Sequence, residues 1–464
     1  MSNEFFLTNP ATEEKIGPIS RLSAGEMEQA AARARAAQEK WSEAAPSERK
    51  KVVADFIAEF ERNADKIARE ITIQMGKPIT QSHNEIKGML HRARSILEQT
   101  DEALKPRRLD KVENFERFVE RIPHGVVLNM AAWNYPLNIA VNVVLPAVLA
   151  GNAVILKHSA KTPMCGDHFA DTFAAVGAPE GLVQALQADH ATMAKFIESG
   201  AADYIAFTGS VEGGRQIRIA AREQFTDVGL ELGGKDPAYV MEEQDDLDWT
   251  AANLAEAFIY NCGQSCCAVE RIYVHEKIFD AFLEKLVHHA SDWTPGNPLE
   301  EGTNLGPLVS EGARKWIMGQ AEDAVKKGAK VVLEGGPTTV DGKGFFFKPQ
   351  IMVDVNHDMS LMKEENFGPV MGVMKVKDDG EALKLMNDSA FGLTASVWGR
   401  DQARIEKMLS RLQAGTVFMN RCDYLDPEMP WTGYGDSGLG STLGHEGFHH
   451  LTRPRSVHMR IKAG

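Results

Sequence analysis

The spacing of apolar residues changes along the chain, and each change predicts a different kind of element. The first hundred residues read as helices. Ser23 with Glu26 three positions on makes a capping box at a helix start. Between Glu48 and Ile73 the apolar residues Val52, Phe56, Phe60, Ile67 and Ile71 recur at helical spacing. From Gly125 the pattern turns to strand, turn and helix in alternation, with apolar strand candidates at Val126–Met130, Ala153–Leu156, Leu182–Leu186, Tyr204–Phe207 and Val228–Leu232. That alternation predicts a parallel sheet covered on both faces, the doubly wound α/β class. A second α/β series follows. Leu247–Tyr260, Phe279–His289 and Ala313–Lys327 read as helices, and Arg271–Val274, Thr394–Trp398 and Gly415–Asn420 as extended. Two strand candidates stand apart, Phe115–Ile122 and Ser456–Lys462. In the second, Val457, Met459 and Ile461 alternate with polar residues, so a partner elsewhere, even on another subunit, is expected.

Leu137 to Leu156 carries no charge over twenty residues, the length of a membrane span. It also holds Asn138, Asn142 and Asn152 with Pro146 and Gly151, and three amides are costly in lipid. A buried helix running into a buried strand is the expectation. The formal net charge of -14 argues against nucleic acid or an anionic membrane as partner, while leaving room for a local basic pocket. The start MSNEFFLTNP shows no secretory pattern, and five cysteines, an odd number, suit a reducing compartment such as the cytoplasm. Cys262, Cys266 and Cys267 cluster, but no companion ligand pair accompanies them, and no metal is expected.

Four short motifs carry chemistry, and each also has an ordinary reading. Cys266, after a glycine and an amphipathic helix, falls where a turn can expose a thiol; a thiolate is a strong nucleophile, although most cysteines are buried and inert. Glu231 precedes Gly-Gly, where a carboxylate can swing and serve as a base, or simply face water beside a turn. Asn134 in Trp133-Asn-Tyr-Pro can donate to an oxyanion or cap a loop. Gly209-Ser210-Val-Glu-Gly213-Gly214, after a strand and before a helix, can bring N–H groups to a phosphate or be a plain glycine turn.

In identity, order and spacing these motifs resemble the aldehyde dehydrogenase superfamily over nearly the whole chain. Further matches are Val154-Ile-Leu-Lys157 with Thr162-Pro163, Glu365-Asn-Phe367-Gly-Pro369, and Trp431-Thr-Gly433 through Ser437-Gly438-Leu-Gly440. The resemblance implies a Rossmann-like doubly wound cofactor domain (1–104 and 123–231), an α/β catalytic domain (232–427) and a small β oligomerisation arm (105–122 and 440–464) joining a homodimer or homotetramer. It implies NAD(P)-dependent oxidation of an aldehyde to an acid through a thioester on Cys266. The Cys266 N–H and Asn134 would form the oxyanion hole, and Glu231 would activate the hydrolytic water. Trp133, Lys157, Ala160, Gly209, Ser210, Gly214, Glu365 and Phe367 fall at cofactor positions. Tyr135, Asn142, Tyr260, Leu425 and Trp431 fall at substrate positions.

Departures from the family pattern matter. Where NAD-preferring members carry a ribose-binding Glu, this chain has Ala160, among His158, Ser159 and Lys161, so NADP is expected to be accepted. Ala132 replaces a usual proline, and Val143 a frequent lysine. Members that oxidise succinic semialdehyde use arginines near the positions held here by Asn142 or Val143 and by Asn261, and neither place is basic, so that acidic substrate is not expected. An uncharged or mildly polar aldehyde is therefore expected, with Arg421 the one nearby cation considered. Two alternatives remain: a CoA-acylating enzyme, against which Glu231 argues, and a catalytically silent binding protein of the same fold. A simple esterase is expected only as a side activity.

Overall fold

The computed structural model describes residues 3–462; residues 1, 2, 463 and 464, the outer ends of the expected 1–104 and 440–464 segments, lie outside them. The chain does not begin with a helix. Strands β1 (Glu4–Thr8) and β2 (Lys15–Ser20) form an antiparallel hairpin, although neither shows apolar alternation. Four helices follow: α1 (Ala24–Glu43), α2 (Pro46–Arg62), α3 (Ala64–Met75) and α4 (Ile79–Ala103). The capping box at Ser23 and Glu26 is formed. The periodic run from Glu48 to Ile73 is two helices, because Asn63 leaves the helical conformation (φ -98°, ψ 9°) and turns its amide back onto Glu59 O at 2.9 Å. Asparagine competes with helical hydrogen bonding in this way, and periodicity alone does not register it.

Next come β3 (Arg107–Arg108), β4 (Phe115–Pro123), β5 (Val126–Ala131), α5 (Pro136–Ala150), β6 (Ala153–His158), α6 (Pro163–Ala175), β7 (Val183–Ala185), α7 (His190–Glu198), β8 (Tyr204–Thr208), α8 (Val211–Ala220) and β9 (Asp227–Glu231). The charge-free stretch is a buried helix and a buried strand, α5 and β6. Among the described residues no helix is long and apolar enough to cross a membrane. Asn152 is buried and fully used: its Oδ1 accepts from Gly125 N–H, and its Nδ2 donates to Ala147 O and Leu451 O. That satisfies a buried amide that would otherwise be costly.

The first sheet has the order Gly438–Leu439, β9, β8, β5, β6, β7, parallel except where Gly438–Leu439 pairs antiparallel with β9. The second α/β series supplies β10 (Asp236–Val240), α9 (Leu247–Ile259) and β11 (Val269–His275). Its seven-stranded sheet runs Lys330–Leu333, Gln350–Val353, Val370–Val376, β11, β10, Thr394–Trp398, Thr416–Met419, with one antiparallel pair at the first edge. Each sheet has its own apolar core. The two isolated strand candidates find each other: β4 pairs antiparallel with Thr452–Arg460, and β3 adds to β4's other side. The preceding short helix, Gly444–His450, packs on α4 and α5.

Candidate active site

In the first sheet the chain winds outward from β5 through β6 and β7, then returns to β8 beside β5. Such a reversal opens a crevice at the carboxyl ends of the strands. The motif residues sit there. β5 runs into Trp133 and Asn134, β6 ends with Lys157 and His158, β8 leads to Thr208, Gly209 and Ser210, and Glu231 ends β9.

Cys266 reaches this crevice from the second sheet. After α9, the turn Tyr260–Gly263 holds Asn261 and Cys262 at φ 54° and 58°. Left-handed backbone at a non-glycine residue costs about 1–3 kcal/mol and persists only where neighbours enforce it. Here Asn261 N–H donates to Gln81 Oε1 at 3.0 Å, and its Nδ2 donates to Asn134 O at 3.2 Å and Gln264 O at 3.1 Å. The same asparagine thus ties the cysteine loop to the Asn134 turn. Cys266 then occupies a turn before β11 and is partly exposed, as expected.

Gly233 and Gly234 do a different job from the expected freedom to swing. A Cβ on Gly234 would lie 2.2 Å from Cys266 O, and one on Gly233 would lie 2.5 Å from the Glu365 carboxylate. The glycines permit close approach of three segments. Gly234 N–H donates to Glu365 Oε1 at 3.0 Å.

Asn134, Glu231 and Cys266 line one cavity of about 510 Å³, and Tyr135, Asn142, Tyr260, Leu425 and Trp431 line it with them. Glu231 accepts from the hydroxyls of Thr442 and, at 3.3 Å, Thr208. Burial pushes its pKa up, and the two hydroxyls oppose that shift. Among the described residues neither the Asn134 side-chain amide nor the Cys266 N–H donates to another group.

Trp133, Lys157, Gly209 and Ser210 line a neighbouring groove of about 630 Å³, and Thr208 lines both spaces. Ser210 caps α8, its Oγ accepting from Gly213 N–H at 3.1 Å. A Cβ on Gly209 or Gly213 would strike the Phe207 ring at 2.6 or 2.7 Å. The α8 N-terminus, opened by Gly209 and Gly213 and lying beside a buried lysine, fits the phosphates of a dinucleotide. Burial, then Arg21, lowers the Lys157 pKa. Phe367 stands edge-on to Trp133 at 5.5 Å. Burial and the Glu270 carboxylate push Glu365 up to about 8.

Several expected positions fall elsewhere. Gly214 faces away from the groove, beneath Leu232, where a Cβ would meet a methyl at 2.8 Å, so its role is helix-to-sheet packing. Ala160 is exposed beyond the groove lining, and Glu365 and Phe367 line neither cavity. His158 points into the core with neither ring nitrogen bonded, and burial lowers its pKa to about 3, so it offers no positive charge. Arg421 is exposed and stacks 3.5 Å over the Tyr424 ring, outside the cavity.

Sequence reasoning missed other groups. Arg92 and Asp423 line the catalytic cavity, Thr442 holds Glu231, and the buried pair Lys77–Glu85 lies under Asn134. Asp423 accepts from Ser265 Oγ at 3.2 Å and Cys267 Sγ at 3.0 Å, and burial pushes it up to about 6. Only helical spacing hinted at Arg92, which follows Asn84 and Gly88 at four-residue steps on α4.

The model of the aldehyde dehydrogenase family matches residues 1–457. A succinate-semialdehyde dehydrogenase [NADP(+)] 1 of Mycobacterium ulcerans (strain Agy99) is 33% identical over 97% of this chain and 98% of its own. The peroxisomal aminoaldehyde dehydrogenase 1 of Malus domestica is 35% identical, covering 97% and 91%. The crystal structure of an indole-3-acetaldehyde dehydrogenase complexed with NAD+ superposes with a TM-score of 0.96 at 30% identity, covering 99% of this chain and 93% of that one. The chain therefore belongs to the aldehyde dehydrogenase family, enzymes that oxidise aldehydes to carboxylic acids with NAD or NADP.

Proposed function

We propose that Cys266, Asn134 and Glu231 carry this oxidation. The observation that supports the assignment is their convergence on one cavity that meets the α8 groove at Thr208. The Cys266 thiolate adds to the aldehyde carbon. The Asn134 amide and the Cys266 N–H receive the negative oxygen that forms. The dinucleotide would supply the hydride acceptor, so that the carbon, having lost its hydride, is left as a thioester on Cys266. Glu231, held by Thr208 and Thr442, takes a proton from water as the water attacks the thioester. The acid leaves and the thiolate is restored. A carboxylate base in the cavity favours water over CoA as the acyl acceptor. In the groove, Gly209, Ser210 and Gly213 at the α8 N-terminus hold the phosphates, and Lys157 the adenosine ribose.

Both NAD and NADP suit the adenosine end. Ala160 offers no carboxylate to repel a 2′-phosphate. Lys157 feels the charge of Arg21, and Lys161 that of Lys15, two pairs of cations whose lysines flank Ala160 in the chain. We infer further that β4 with Thr452–Arg460 forms the arm of a homodimer or homotetramer, supported by exposed Met459 and Ile461. Five free cysteines favour the cytoplasm as the working compartment.

Mixing enzyme, cofactor and butanal tests the chemistry. Cys266→Ala should form no reduced cofactor. Glu231→Gln should give one rapid equivalent per site and then nearly stop, because the thioester forms without being hydrolysed. Full steady turnover in Glu231→Gln would refute its role as base.

A further inference from the structure

We propose that Arg92 anchors a carboxylate at the substrate end remote from the aldehyde, so that the preferred substrates are short aldehyde acids. The proposal rests on the reading of Cys266, Asn134 and Glu231 above. Helix α4 packs along α5 and presents Asn84, Gly88 and Arg92 to the catalytic cavity. Arg92 is the only arginine or lysine among the described residues that line it.

A guanidinium has five N–H donors and keeps its charge at any working pH. Arg92 spends only Nη1, on two long bonds to neutral oxygens of α5: Asn138 O at 3.3 Å and Asn142 Oδ1 at 3.4 Å. Among the described residues no carboxylate forms an ion pair with it. The nearby acids are engaged elsewhere. Glu85 is paired with Lys77, Glu231 is held by two threonines, and Asp423 is held by Ser265 and Cys267. Glu256 stands exposed on the cavity's α9 side.

A largely desolvated cation without an anion is costly, and burial does lower the pKa of this arginine. An anionic ligand removes that cost. Planar, bidentate binding of a carboxylate is the pairing a guanidinium makes best. The cation thus comes from α4, whereas the resemblance pointed to Asn142 or Val143 and to Asn261, none of them basic.

The test compares four-carbon aldehydes with and without the carboxylate: 4-oxobutanoate against butanal, with 4-aminobutanal as the opposite charge. Reduced-cofactor absorbance gives kcat and KM for the intact enzyme, Arg92→Gln and Arg92→Lys. The intact enzyme should prefer 4-oxobutanoate. Arg92→Gln should raise KM for 4-oxobutanoate by a factor roughly 10- to 100-fold greater than any change in KM for butanal, the range for one charge-assisted contact. Arg92→Lys should restore part of the loss. Equal losses on both aldehydes would overturn the proposal, because Arg92 would then serve Glu231 or Cys266. A preference of the intact enzyme for butanal or 4-aminobutanal would overturn it too. Butanal turnover that depends on Cys266 while 4-oxobutanoate has no advantage defeats only the anchor; absence of turnover with every aldehyde defeats the catalytic reading itself.

Discussion

Lys77 and Glu85 are both fully buried and form an ion pair beneath the turn that carries Asn134. Lys77 Nζ also donates to Asn134 O at 2.8 Å and lies 3.9 Å from the centre of the Tyr135 ring. Glu85 uses its other oxygen to accept from Leu137 N–H at 2.9 Å. The pair therefore grips both ends of the segment from Asn134 to Leu137. Glu85→Leu leaves an ammonium buried without a counter-charge, and Lys77→Met leaves a buried carboxylate; each should cost about 3–5 kcal/mol. Burial already pulls the Lys77 pKa down against the opposing pull of Glu85, so removing Glu85 favours the neutral amine. The double variant Lys77→Met/Glu85→Leu has no buried charge. Its remaining cost is the lost bonds to Asn134 O and Leu137 N–H, about 1–3 kcal/mol each, eased because Asn261 still donates to Asn134 O. At the middle of these ranges the double variant should thus be more stable than the sum of the single changes by about 4 kcal/mol, while its kcat for butanal stays roughly tenfold or more below the starting enzyme. The assay is the rate of thermal inactivation at one temperature, since a chain with two cores need not unfold in one step, combined with steady-state kinetics. Additive single changes would refute the buried-charge argument. Recovery of kcat together with stability would refute the positioning role.

Three further outcomes follow from the same geometry. Because burial raises the Glu231 pKa and its base role needs the ionised form, the acid limb of kcat should lie above the ordinary carboxyl value, rising with pH; a limb at or below that value contradicts the assignment. Ala160→Glu should reduce kcat/KM for NADP roughly 10-fold or more and leave NAD little affected; equal effects on both would remove Ala160 from cofactor choice. For Asp423, moved from 3.8 to about 6 in the fold, the protonated form is favoured on folding, so its contribution is fullest below pH 4 and is lost as pH rises through 6. Asp423→Asn should therefore gain on the starting protein by up to about 3 kcal/mol between pH 4 and 7, read as a widening Tm difference; a gap that does not change with pH would sink this account.

Local sequence carried much of this molecule. The alternation from Val126 to Glu231 holds two parallel strands buried along their whole length, β5 and β6, with β8 buried over its first half, and strands covered on both faces read as nearly continuous apolar runs. Cys266, Asn134 and Glu231 stood out as candidates because each belongs to a short motif with a glycine or a turn beside it, and the fold brings the three to one cavity. The α8 N-terminus was legible for the same reason. The β1–β2 hairpin was not, since its strands lie half-exposed and show no alternation. The pairing of β4 with Thr452–Arg460 spans more than three hundred residues, and neither strand announces its partner. Arg92, Lys77, Glu85 and Asp423 reach the site only because α4 packs on α5 and the loop after Thr416–Met419 folds over Cys267. A charged residue on a helix face looks the same in sequence whether that face meets water or a cavity. Burial and the charges of distant neighbours decide which it is, and those exist only once the helices have packed.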